Sequence, residues 1–490
     1  MPASFLHGVE TIETTVGGVQ VTLVKTAVVG LVGTAAGGTP NQLTLVSADT
    51  DFAQFGPDAA GFTIRSALQD VFDQKPTVVQ VINVLDPLVH NSAAAAEAIA
   101  FDATDTSTLT HPGVVMSLPY DVKSKDGNTT YKKDIDYTID PLNGIVSRVA
   151  GGAIAPLAQL TADYSYADPT KVTPADIIGG INAAGLRTGM QLFKDGYSLY
   201  GYFAKLLVAP AWSTQASVSA ALTVIANNIR AMQFSDAPGG LTVPQAISAR
   251  GPAGTINFDV SDERTVLLYP YVSVFDTASN ANVLRPLSAR AAGIQSKQDQ
   301  EKGYWWSPSN VAIQGIVGTE RPITSMVNDP NCEANQLNAA GIVTVFSSYG
   351  TGLRLWGNRS SAYPASTQPT QFICVRRTAD IIEESLEYFT LQYTDGSISN
   401  AWIDTVLESA NGFMRKLGGD GAILGGRAWY DPTKNPVTEL EGGHIVFSYD
   451  FMPPPPAERI TYQAQININY LSTLTGSTSG GTSGSTSGGS

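Results

Sequence analysis

The sequence predicts an α/β protein: a doubly wound core, a small all-β domain inserted into it, and an α+β carboxyl-terminal domain, with extended arms at both ends. Three observations carry this prediction. Two short apolar runs, Thr26–Gly33 and Val78–Leu85, flank a helical stretch from Phe62 to Gln74, an opening β-α-β unit that implies parallel pairing. Between about 102 and 168 the texture changes to short alternating runs separated by turns. Near the end, Ile460, Tyr462, Ala464, Ile466, Ile468 and Tyr470 alternate with polar residues behind four consecutive prolines, Pro453 to Pro456.

Residues 1–24 read as an amino-terminal arm, with Val19, Val21 and Leu23 alternating after a Gly17-Gly18 hinge. The first part of the α/β domain occupies 25–101. Its Gly30-x-x-Gly33 invites a phosphate-loop reading, but no Gly-Lys-Ser/Thr follows and the next segment opens no helix. Helix Phe62–Gln74 places Ile64, Ala67, Leu68, Val71 and Phe72 at 3.6-residue spacing. The inserted β-domain spans 102–170, with Asp126-Gly127 and Pro141-Leu-Asn-Gly144 as turns. Its Asp134, Asp136 and Asp140 lack the spacing, glycine and final Glu of a calcium loop and read as a solvated face.

The main α/β domain follows over 171–370. Thr173-Pro-Ala-Asp176 opens a helix with a cap, a first-turn Pro and an acid. Leu206–Ala209 is a strand, Ser213–Phe234 a helix, Thr265–Tyr269 a strand, Arg285–Lys302 a helix, and Ile342–Phe346 and Leu353–Trp356 strands. The carboxyl-terminal domain, 371–458, carries helices Thr378–Leu391 and Ala401–Leu417, the second ending in a basic Arg415-Lys416 turn before a Gly418 stop. His444–Phe451 is a strand.

Four prolines fix φ and supply no donors, so Pro453–Pro456 is a stiff spacer that prevents a direct fold-back. The alternating strand 459–471 then spans ~40 Å if extended at ~3.3 Å per residue. Ordering each residue costs roughly 1–2 kcal/mol, and its large apolar side chains return ~1.5–3 kcal/mol each only when fully buried. The segment therefore reads as an arm that orders on joining a sheet of another copy; an edge strand of its own domain is the alternative. Residues 472–490 are a Gly/Ser/Thr tail.

The 490 residues carry a net charge of −14, with 43% hydrophobic and 15% charged residues and no basic run, which argues against direct nucleic-acid binding. No run of 18 apolar residues is present and the amino terminus lacks a signal-peptide pattern, so a soluble chain outside the usual secretory route is expected. Cys332 and Cys374 fit a reducing compartment, and the four histidines show no metal-ligand spacing. Catalysis finds little support. His90 sits by Asp86-Pro87, no Gly-x-Ser-x-Gly elbow exists, and Asp299 and Glu301 point about 200° apart on a helix beside Trp305 and Trp306. No cofactor is expected.

Several segments in order, His7-Gly-Val-Glu10 with Thr26–Gly30, Ala289–Gly293, Asp299–Trp305 running into Ser307–Asn310, Leu353–Arg359, Arg376–Thr378 and Tyr449–Pro454 with the segment beyond, together resemble the tail sheath family of contractile bacteriophages, and are similar to R-type pyocin sheaths. The resemblance spans the chain apart from 102–168 and the tail after 471. It implies a structural subunit that polymerises around a tail tube and contracts to drive the tube through the bacterial envelope for genome delivery. A headless injection or bacteriocin particle is the alternative within that class, and an α/β hydrolase the alternative outside it. It further implies a core that is subtilisin-like in fold without a triad, an outward-facing insertion, and arms (Val19, Val21, Leu23; Ile460, Tyr462, Ile466, Ile468, Tyr470) that complete neighbours' sheets. The expected partners are the chain itself, the tail tube, and baseplate and tail terminator proteins, with no nucleic acid and no membrane insertion, in a virion tail assembled in the host cytoplasm. Arg415 and Lys416 become tube-facing candidates, with helix-end stabilisation as the competing role.

Overall fold

The computed structural model describes residues 23–250, 258–277 and 279–475. The chain divides at Pro456/Ala457 into two units. In chain order the first contains β1 (Val29–Gly33), β2 (Leu43–Val46), α1 (Ile64–Phe72), β3 (Val79–Asn83), β4 (Leu206–Val208), α2 (Ala216–Ile229), β5 (Met232–Asp236), β6 (Thr265–Leu268), α3 (Ser288–Glu301), β7 (Val311–Ala312), β8 (Ile342–Ser348), β9 (Gly352–Trp356), α4 (Ile373–Thr390), α5 (Asn400–Asp420), β10 (Gly425–Tyr430) and β11 (Phe447–Met452), besides shorter elements and the inserted strands.

A nine-stranded sheet runs β7-β9-β8-β6-β5-β4-β1-β3-β2. Its central strands β3, β1, β4, β5, β6 and β8 are parallel, and the edges are antiparallel. Both faces are covered, so β1, β3, β4, β5 and β6 are buried at every residue rather than at alternate ones, including polar residues such as Gln80 and Gln233. Val29 and Leu31 pack with α1 and α3; Val32 and Leu207 pack with α2 on the opposite face. Gly30-x-x-Gly33 is explained by this packing. A Cβ at Gly30 would meet Leu207 Cδ2 at 2.7 Å, and one at Gly33 would meet Thr63 Oγ1 at 2.3 Å.

The inserted unit has its own core, including Val122, Tyr137, Val146, Leu160 and Tyr164. Its four-stranded sheet begins with Asn91–Ala100, upstream of residue 102, paired antiparallel with Gln159–Ala167. The alanine-rich composition of 93–100 concealed that strand. Asp136 is buried, and its carboxylate accepts the N–H groups of Lys132 and Ala153 at 2.8 Å each. Asp140 accepts the N–H groups of Leu142 and Asn143 in its own turn.

Several helix boundaries differ from the sequence reading; the helix expected from Thr378, for example, already starts at Ile373. The helix expected over Ser213–Phe234 stops at Ile229, because Arg230 adopts φ 49° and the chain turns into β5. Met232 and Phe234 are thus core strand residues, not helix positions. The helix expected from Arg285 starts at Ser288, since Arg285 ends a strand. The helix expected to stop at Gly418 continues through Gly418 and Gly419 to Asp420, ending at Gly421 with φ 81°. Ala422 and Ile423 join Phe413, Met414 and Leu417 in one apolar cluster, so burial of that face carries the helix past two poor helix formers.

Candidate assembly site

Strands β10 and β11 form a two-stranded antiparallel ribbon with Ala428 opposite Tyr449. Such a ribbon is marginal alone; α5 supports it. Asn411, in the middle of α5, donates from Nδ2 to the Ala428 carbonyl at 2.9 Å and accepts the Ala428 N–H on Oδ1 at 2.8 Å. Asn435 treats Val446, just before β11, in the same way at 2.9 and 2.7 Å. Phe447 lies 6.1 Å from Trp402 and 6.5 Å from Tyr430, centroid to centroid, and Tyr449 stacks on Phe451.

Beyond Pro453–Pro456, the strand expected over 459–471 is not formed in the single chain. Residues 457–467 have no regular structure, and Ile468–Leu471 makes one 3-10 turn. Ile460, Tyr462, Ile466, Ile468 and Tyr470 are 70, 91, 95, 74 and 72% exposed. An extended segment without a ladder partner leaves its peptide groups to water, and nothing then holds it as a strand. Val19 and Val21 lie outside the described residues, and Leu23 is exposed without strand structure. From Val24 the chain is anchored: its N–H donates to Ser385 Oγ at 3.4 Å, and Lys25 Nζ sits 4.0 Å from the Tyr202 ring centroid.

The carboxyl-terminal helices are mounted on the sheet through α4 by buried ion pairs. Arg377 donates through both terminal nitrogens to Asp299 at 2.6 Å each, and through Nη2 to the Thr26 carbonyl at 3.2 Å. Lys205 pairs with Glu384 and donates to the Ile229 carbonyl at 2.8 Å. Burial pushes the Lys205 ammonium pKa down and the Glu384 carboxyl pKa up, each opposed by the partner's charge. Arg264 holds Asp380, and Arg376 reaches Glu263, Asp380 and Glu383.

Asp299 is therefore an ion-pair residue, and Glu301 instead meets Lys75 at 3.2 Å, so the two carboxylates flank no common point. His90 Nδ1 accepts the Asp86 N–H at 3.1 Å, and Nε2 lies 3.6 Å from Asp176. Arg415 and Lys416 are exposed on α5, with Arg415 paired to Glu408. They are not in the last turn, because the helix runs on to Asp420, so the predicted helix-end role loses its geometric basis. Asn411 was missed by sequence reasoning. A poor helix former inside an otherwise amphipathic run was the available signal.

Residues 171–361 match the family model of the phage tail sheath protein central domain, and 365–467 that of the phage tail sheath C-terminal domain. The chain belongs to the phage tail sheath protein family. It is 52% identical over 478 residues to the tail sheath protein of Burkholderia phage BcepMu, covering 97% of this chain and 100% of the relative. The sheath protein of Escherichia phage P2 is 27% identical over 63% of this chain and 74% of its own. In fold, this sheath protein resembles the anti-feeding prophage helical sheath in its contracted state, with a TM-score of 0.59, 16% identity, and 95% and 100% of the two chains covered. The C-terminal sheath match takes in the ribbon, the prolines and the segment through residue 467.

Proposed function

We propose that this sheath protein polymerises into a contractile tube sheath, and that residues 459–471 of each copy become a strand in another copy's sheet. The observation that carries the reading is the pairing of an under-filled two-stranded ribbon with an exposed segment of period two. β-Strand addition supplies a backbone ladder, and the ribbon's aromatic residues supply apolar contact. Ladders are strong along the strand, while Gly and Pro hinges let a rigid body tilt. Contraction then releases free energy as bodies bury more surface in the short state, from a long state trapped until a trigger arrives.

The nine-stranded sheet is read as a doubly wound, subtilisin-like core without catalysis. Numbered in chain order, its parallel strands run 2-1-3-4-5-6 across the sheet, which supports that winding. The inserted β-unit is assigned to the outer surface, and Arg415 and Lys416 to the tail tube. Baseplate and tail terminator proteins are the end partners, and the setting is the virion tail. Deleting 459–490 is expected to leave soluble subunits that form no long tubes in negative-stain micrographs; normal tubes from that truncation would overturn the arm reading.

A further inference from the structure

We infer that Asn411 closes one edge of the β10–β11 ribbon, so that an incoming strand adds only beside β11. This deepens, and rests on, the strand-addition reading above. The Asn411 amide engages both the N–H and the C=O of Ala428, at 2.8 and 2.9 Å, and so occupies the place of one residue of a neighbouring strand. In an antiparallel pair, opposite residues either both turn their backbone groups inward or both turn them outward. Ala428 turns its groups away from β11 to meet Asn411, so Tyr449, directly opposite, turns its groups away from β10. Period two gives Phe447 and Phe451 the same outward direction.

Asn435 does not close this second edge. Val446 alternates with Phe447, so its groups point to the β10 side, where Asn435 continues the ladder past Tyr430. Among the described residues, no backbone partner meets the outward groups of Phe447, Tyr449 and Phe451. The β10 edge is therefore blocked at its middle, at Ala428, while the β11 edge is open from Phe447 to Phe451. The ribbon grows in one direction, and any second strand must join outside the first rather than on the far side of β10. An unprotected edge invites indiscriminate pairing; sealing one of two halves that hazard in a chain that must pair to work.

The test uses assembled full-length sheaths. Arg427 and Asp450 lie opposite one another on the ribbon's exposed face, 73% and 57% exposed, and an ion pair so exposed contributes little to stability. A cysteine replaces Thr461, Gln463, Gln465 or Asn467 in turn, combined with Asp450→Cys or Arg427→Cys. Adjacent strands lie ~4.8 Å apart, which permits a disulfide to the near strand but not across it. Oxidised sheaths are expected to give chain-to-chain disulfides on a non-reducing gel with Asp450→Cys and none with Arg427→Cys. Disulfides through Arg427→Cys alone would overturn the edge assignment while leaving strand addition intact. Well-formed tubes with neither product would overturn strand addition itself. In a second measurement Asn411→Ala unseals β10, and crosslinking through Arg427→Cys is expected to appear; its continued absence in folded, assembled Asn411→Ala sheaths would show that something other than Asn411 closes that edge.

Discussion

Asp299 on α3 receives both terminal nitrogens of Arg377 on α4 at 2.6 Å each, with the two side chains 0% and 2% exposed. The pair joins the helix packed on the sheet to the helix that begins the carboxyl-terminal region, and Arg377 also holds the Thr26 carbonyl where the amino-terminal segment enters. One guanidinium thus ties three chain segments at a single point.

Removing one partner should be costly. Asp299→Ala strands a buried guanidinium, and a loss of about 3–5 kcal/mol is expected in chemical denaturation. Asp299→Leu with Arg377→Met should recover much of it, short of the Thr26 bond. A loss under ~1 kcal/mol for Asp299→Ala would show the pair to be dispensable.

Lys205→Met should destabilise in a pH-dependent way. It leaves Glu384 buried with its carboxyl pKa already raised by burial. A group whose folded pKa lies above its unfolded value stabilises at low pH and loses that contribution as pH rises. The variant's deficit against the parent should therefore be larger at pH 8 than at pH 5 in thermal melts, and Glu384→Gln on the same background should flatten the difference.

Asp236, fully buried at the end of β5, accepts the Ser288 N–H at 2.8 Å, and burial pushes its carboxyl from the ordinary 3.8 up to about 7. Its contribution is greatest below pH 3.8 and gone above about 7. Asp236→Asn keeps an acceptor for Ser288 and no longer titrates. It should gain stability over the parent at pH 8, by at most roughly 4 kcal/mol, and the gain should shrink toward pH 5. Parallel melting curves for the two proteins across that range would refute this.

Arg415→Glu with Lys416→Glu should leave the thermal midpoint of the free subunit near the parent value, because both side chains are exposed and α5 ends a turn later, at Asp420. Sheath assembly on tail tubes should be weakened, as scored by sedimentation of tube-bound sheath. Unchanged assembly would remove these residues from the tube-facing surface.

The sequence by itself determined what local periodicity can encode. The buried strands at Val29–Gly33 and Val79–Asn83, the helix between them and the strand at Phe447–Met452 were legible because apolar spacing follows directly from which faces are covered. The alternating run from Ile460 to Tyr470 was equally plain, yet the single chain does not form it as a strand, because a strand needs a ladder partner and, among the described residues, no other backbone pairs with this segment. Tertiary structure decided the rest. Whether the helix of 213–234 breaks at Arg230, whether α5 passes Gly418, and which acid meets Arg377 all depend on contacts between residues distant in the chain. The same holds for Asn411: its side chain seals a strand edge only because α5 is packed against β10, and no spacing in a linear sequence records which backbone a distant amide will meet.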